Sequence, residues 1–156
     1  MNIFILDEDF EKNAQYYCDQ HLVKMILESA QLLCSVVTLG GGVAPYKLTH
    51  KNHPCTKWLL ENGKHWDFLI SLVTALNSEY KRRFNHQENH KSFDVILSLA
   101  KPKYQYNSPI KKYISVTDKV EKLSLKKTIS AYRKYYKQKS NEFTMRWSNS
   151  TKPYWL

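Results

Sequence analysis

The chain has 156 residues, 42% of them apolar, and carries a formal net charge of +10. That length suits one domain, and the lack of an eighteen-residue apolar run, with few Gly and Pro, sets aside membrane-spanning and disordered classes. The charge is lopsided: residues 1–70 hold six Lys/Arg against eight Asp/Glu, whereas residues 71–156 hold eighteen against six. A one-sided cationic excess attracts polyanions through counterion release, so DNA or a nucleotide is the expected partner, with no membrane. Eleven Tyr and four Trp add aromatic faces suited to unpaired bases. The start, MNIFILDEDFEK, turns acidic where a signal peptide would not, and Cys18, Cys34 and Cys55 show no CxxC spacing. Free thiols in a cytoplasmic protein are expected.

Helix signals dominate in chain order. Asp7 or Asp9 caps a long first helix, roughly residues 10–37, which stops before Gly40, Gly41, Gly42 and Pro45. The turn-rich YKLTHKNHP leads to Pro54 in the first turn of a second helix, which runs to about Phe84 and is broken or bent at Gly63. SFDVILSLA reads as a short helix or buried strand, and a basic Tyr/Pro loop follows. A last helix begins at Thr117 or Ser124 and ends near Lys139, and the aromatic tail FTMRWSNSTKPYWL is expected to pack back. IFIL and KYISV are the strand candidates. The predicted class is all-α, a single-domain bundle of three to four main helices.

The first helix carries the most informative pattern. At a helical turn per 3.6 residues, His21, Lys24, Glu28, Gln31, Ser35 and Tyr17 fall within about 80° of arc. Leu22, Val23, Met25, Ile26, Leu27 and the later apolar residues fill the rest, which predicts a rod buried nearly all round with one polar slot. Burial raises a carboxylate's pKa, while Lys24 and His21 a turn or two away lower it. That tension suits Glu28 as a general acid or base. An ordinary i, i+4 pair of Lys24 and Glu28 beside a satisfied histidine has the same spacing.

Asp19, Gln20, His21 and Leu22, with Glu28 seven residues after the histidine, resemble the first helix of the pyrimidine-dimer DNA glycosylase family, the phage endonuclease V type. Downstream, YKLTHKNHPCTKW resembles the Tyr, Lys and Asn-His-Pro segment of bacterial relatives, and the helix with Glu79, Arg83 and Phe84 is also similar. The motif C-D-(K/Q)-H-x-V-K-M-I-L-E is also similar to short phage-encoded proteins. The family resemblance implies an all-α fold, no metal or cofactor, and attack by the chain's first α-amine on C1′ of a nucleotide. An imine forms while the glutamate handles protons, and strand scission follows. On this chain Glu28 takes the glutamate's role and His21 supports that face of the site. Asn2 departs from the family's small second residue and keeps Met1 in place, so either the Met1 amine reacts or the imine chemistry is absent. In the second case Glu28 activates water or another nucleophile, as in a monofunctional glycosylase or a base-modifying transferase. A non-catalytic binder of nucleic acid or nucleotide, for instance in phage counter-defence, is the third reading.

Candidate substrate contacts are Lys24, Gln31 and Tyr17 on the stripe, His50, Asn52 and His53 at the mouth of the second helix, and Arg83 in the basic run KRRFNHQENHKS. His50, His53 and Cys55 give only a weak zinc spacing, so no metal is expected. In AYRKYYKQK, core packing of Tyr132, Tyr135 and Tyr136 is favoured over base stacking.

Overall fold

The computed structural model describes all residues from Met1 to Leu156. Six helices and one hairpin follow in the order α1 (Phe10–Tyr16), α2 (Asp19–Leu39), α3 (Pro54–Glu61), α4 (Gly63–Arg83), α5 (Lys91–Leu97), β1 (Tyr113–Val116), β2 (Val120–Leu123) and α6 (Leu125–Ser140). The fold is thus mostly helical but not purely all-α, and it has more helices than three or four. Both long expected helices are divided, in each case where side chains satisfy the exposed ends.

The first divides at Tyr17 and Cys18. Asp9 caps α1 by accepting from Lys12 N. At its far end the Arg83 guanidinium donates to the carbonyls of Gln15 and Tyr17, which would otherwise need a continuing helix. The Cys18 N–H is taken up by the Tyr136 hydroxyl at 2.8 Å, and α2 restarts immediately. The second divides at Asn62, whose side chain accepts from Lys64 N and opens α4 at Gly63. Pro54 occupies the first turn of α3 and His53 caps it.

Helix α2 is central, packing against α3, α4 and α5. By length and composition it could cross a bilayer, yet two-thirds of that span is buried inside the fold. IFIL forms no strand. Residues Ile3 to Leu6 lack regular secondary structure and are fully buried, and side chains take up several of their backbone groups. Tyr17 Oη donates to the Phe4 carbonyl, Leu6 N to Asn13 Oδ1, and Arg133 Nε to the Leu6 carbonyl. KYISV does supply a strand, β1, paired antiparallel with β2. Ser124 rather than Thr117 caps the last helix. Tyr132 and Tyr136 of α6 are buried, as core packing requires, whereas Tyr135 is half-buried. The tail packs back through Trp147, whose indole donates to the Tyr16 carbonyl, and through Pro153 and Trp155. All three cysteines are free and buried.

Candidate active site

The polar slot on α2 exists, and the start of the chain fills it. Residues 1–6 lie across the stripe, with Phe4 stacked on His21 at 4.9 Å and the Met1 nitrogen 3.8 Å from Glu28 Oε2. This crossing shifts the solvent-facing arc of α2. Gln20, Val23, Lys24 and Leu27 are its exposed residues, so Val23 and Leu27 are not part of the buried apolar arc.

Two features fix the end of the chain. The Met1 side chain is only 3% exposed, although the residue as a whole is half-buried, so the part of Met1 that meets solvent is its main chain. Asn2 forms the second anchor. Its Nδ2 donates to the Val116 carbonyl at 2.7 Å, and its Oδ1 accepts from Tyr132 Oη at 2.7 Å and from Ile3 N. A terminus otherwise free to fray is held at two consecutive residues.

Glu28 has a side chain 11% exposed, with Oε1 3.6 Å from Lys24 Nζ. Its Oε2 is buried and makes no hydrogen bond. A buried acceptor with no partner is costly, and here it faces the terminal amine just beyond hydrogen-bond length. Lys24 itself is 63% exposed, with its head free to meet a solvent-borne anion.

His53 completes the cluster. Its Nδ1 accepts from Cys55 N at 3.1 Å, which places any ring proton of the neutral form on Nε2, and the ring stands beside the Met1 carbonyl. Burial lowers its pKa first, then the charge of the Met1 amine and His50, while Glu28 and the Met1 carbonyl act in the opposite direction. His50, exposed and at a left-handed φ of 51°, sets its ring edge-on to His53 at 6.1 Å. Its strained turn is held by His53 N and Thr56 Oγ1, both donating to the His50 carbonyl. Asn52 is exposed on the same turn. Cys55 points into the core, where burial pushes its thiol up to about 12. No three His, Cys, Asp or Glu side chains are grouped to hold a metal ion.

The structure therefore brings together Met1, Glu28, Lys24, His53 and His50, with Gln31 half-buried one turn beyond Glu28. Three predicted residues stand elsewhere. His21 lies seven residues, or about 10 Å of helix, from Glu28. Its Nδ1 meets Tyr136 Oη at 3.0 Å and its ring edge meets Phe143. Burial, then Lys24 and Lys139, lowers its pKa to about 4, so at neutral pH it is an uncharged hydrogen-bonding ring. Tyr17 is buried and bonded to Phe4. Arg83, expected to track phosphate, is wholly buried. Its guanidinium is committed to Glu79 at 2.9 Å, Asp19 at 3.2 Å and the carbonyls at the end of α1. Asn2 as an anchor was missed. A polar second residue before a buried apolar run was its only sequence signal.

A family model described as pyrimidine dimer DNA glycosylase matches residues 1–92, a stretch that contains Met1, Lys24, Glu28, His50 and His53. No curated protein and no solved structure matches the chain. With more than half its length matched, the chain belongs to the pyrimidine dimer DNA glycosylase family.

Proposed function

We propose that this chain is a DNA glycosylase with lyase activity in which the α-amine of Met1 is the nucleophile and Glu28 the general acid and base. The observation that carries the reading is the terminal nitrogen 3.8 Å from a buried Glu28 oxygen that has no other partner. α-Amines as a class release their proton far more readily than lysine ammonium groups, which suits a chain end to imine chemistry.

In the proposed sequence Glu28 takes a proton from the amine, and the nitrogen attacks C1′ of a nucleotide drawn out of the stack. The C1′–N bond to the base breaks, and its electron pair leaves with the base, which takes the proton held on Glu28. The attached nitrogen, now an ammonium, gives a proton to the freed carboxylate, and its lone pair then forms C=N as the C1′–O4′ bond opens, with Glu28 returning that proton to O4′. Removal of a C2′ proton by the same carboxylate expels the 3′ phosphate by β-elimination. Lys24 supports the reading as an exposed cation beside the carboxylate, suited to the flanking phosphate. His53 contributes a polar ring beside the first residue's carbonyl.

Borohydride trapping on duplex DNA containing an abasic site, followed by peptide mass spectrometry, tests the assignment. The expected adduct lies on the Met1 nitrogen, and Glu28→Gln reduces trapping by roughly a hundredfold or more. An adduct on a lysine, or none with wild-type protein whose intact mass includes Met1, would refute it.

A further inference from the structure

Helix α2 shows water a narrow stripe of four exposed residues, and two of them are apolar. Val23 and Leu27 are each 39% exposed, and no other exposed large apolar residues in the molecule stand one helical turn apart. Leu27 directly precedes Glu28, and Lys24 sits between the two apolar side chains in sequence with its head in solvent. The cause of the exposure is visible in the fold. Residues 1–6 occupy the polar side of α2, and the core takes Leu22, Met25, Ile26 and Ala30, leaving Val23 and Leu27 uncovered at the margin of the Met1–Glu28 site.

Apolar side chains left in water gain from any surface that dries them. At this margin an exposed lysine and the terminal amine share the single carboxylate of Glu28, leaving one positive charge in excess, which favours an anionic partner with apolar faces. A base step flanked by phosphates has that chemistry, and proteins that distort duplexes place Leu, Met or Phe between neighbouring bases. Reaching C1′ from a rigid helix also requires the step beside it to open.

We infer that Val23 and Leu27 form a wedge that enters the duplex beside the reacting nucleotide and holds the step apart while Lys24 contacts its phosphate. The duplex placement rests on the glycosylase reading, but the test separates the two. A duplex is prepared with a tetrahydrofuran abasic analogue, which cannot form an imine, and 2-aminopurine in the opposite strand. Saturating wild-type protein is expected to raise the 2-aminopurine fluorescence. The Val23→Ala/Leu27→Ala double variant leaves it near the free-duplex level, and Leu27→Met restores it. On natural abasic sites, the ratio of duplex to single-strand trapping rates falls roughly tenfold in the double variant. Thermal melts verify that these surface changes leave the fold intact. An equal fluorescence rise in the double variant, or an unchanged rate ratio, overturns the wedge. So does a wild-type dimer in sedimentation that the double variant abolishes, which would assign this face to a second copy. A fluorescence rise that depends on Leu27, with no trapped adduct in wild type, supports the wedge and refutes the amine mechanism.

Discussion

Asn2 and His21 show how single side chains hold the site without touching substrate. Asn2 ties the chain's second residue to Val116 and Tyr132. Asn2→Leu retains Met1 but leaves those partners unpaired, and is expected to lower stability by about 1–3 kcal/mol in urea titration and to slow trapping. His21 makes a pH prediction. Its folded pKa, lowered to about 4 chiefly by burial, lies below the ordinary histidine value of 6.5. The neutral ring's contribution is therefore full above about pH 6.5 and is lost as pH falls towards 4, because the unfolded chain takes up the proton first. The loss amounts to a few kcal/mol at most. His21→Asn keeps an acceptor for Tyr136 but does not titrate, so its melting temperature should fall less steeply between pH 6.5 and 4 than the wild type's. His53, His65 and His90, also lowered by burial, contribute in the same direction to the slope that remains.

The helices are arranged by a brace that sequence reading mistook for a binding patch. Arg83, near the end of α4, joins the C-terminus of α1 to Asp19 at the start of α2. Asp19 in turn accepts from Ser148 N and Oγ, and Asn149 donates to the Arg83 carbonyl, which ties down the tail. Arg83→Met leaves Asp19 without its cation and the carbonyls at the end of α1 without their donor, while Glu79 keeps Arg82, and is expected to cost about 3 kcal/mol in chemical denaturation. Arg83→Lys should recover little, since one ammonium cannot reach carboxylates and carbonyls in a fork. The composition of KRRF gave no hint of this, although Glu79 at i−4 was a signal. By contrast the buried position of Glu28 was legible, because a narrow polar arc on an apolar rod places a carboxylate where little water reaches it, and its i, i+4 pairing with Lys24 was legible from the same spacing. The exposure of Val23 and Leu27 was not legible. Helical periodicity records which side chains share a face, but not which other segment will cover that face. The break at Tyr17 was hidden for the same reason, since the donor to its carbonyl, Arg83, and the acceptor of the Cys18 N–H, Tyr136, both lie more than sixty positions away.

Across the molecule, family likeness and foldability do not coincide. The matched stretch ends at residue 92, but the core it forms is closed by later residues. Tyr132 and Tyr136 receive Phe4, Cys18 and His21, and Ile114 and Ile129 belong to the same core. A chain truncated after residue 92 is therefore expected to lose cooperative unfolding and resistance to proteolysis, measured by circular dichroism melts and limited digestion, although it retains every proposed catalytic group. The cationic excess also belongs to the later part of the chain, so its electrostatic reach and its closing layer are supplied by the same segment.

The Met1 side chain is buried to 97% while its nitrogen stands 3.8 Å from Glu28. On the proposed reading, the position of the start codon is then itself a determinant of activity. One triplet more or less moves the leading nitrogen by about 3.5 Å, nearly its whole distance to the carboxylate. An acyl group left on that nitrogen, or an affinity tag ahead of it, would give a folded protein with no nucleophile. On that same reading, control of the proposed activity falls to translation and to maturation of the first residue, with every later residue unchanged.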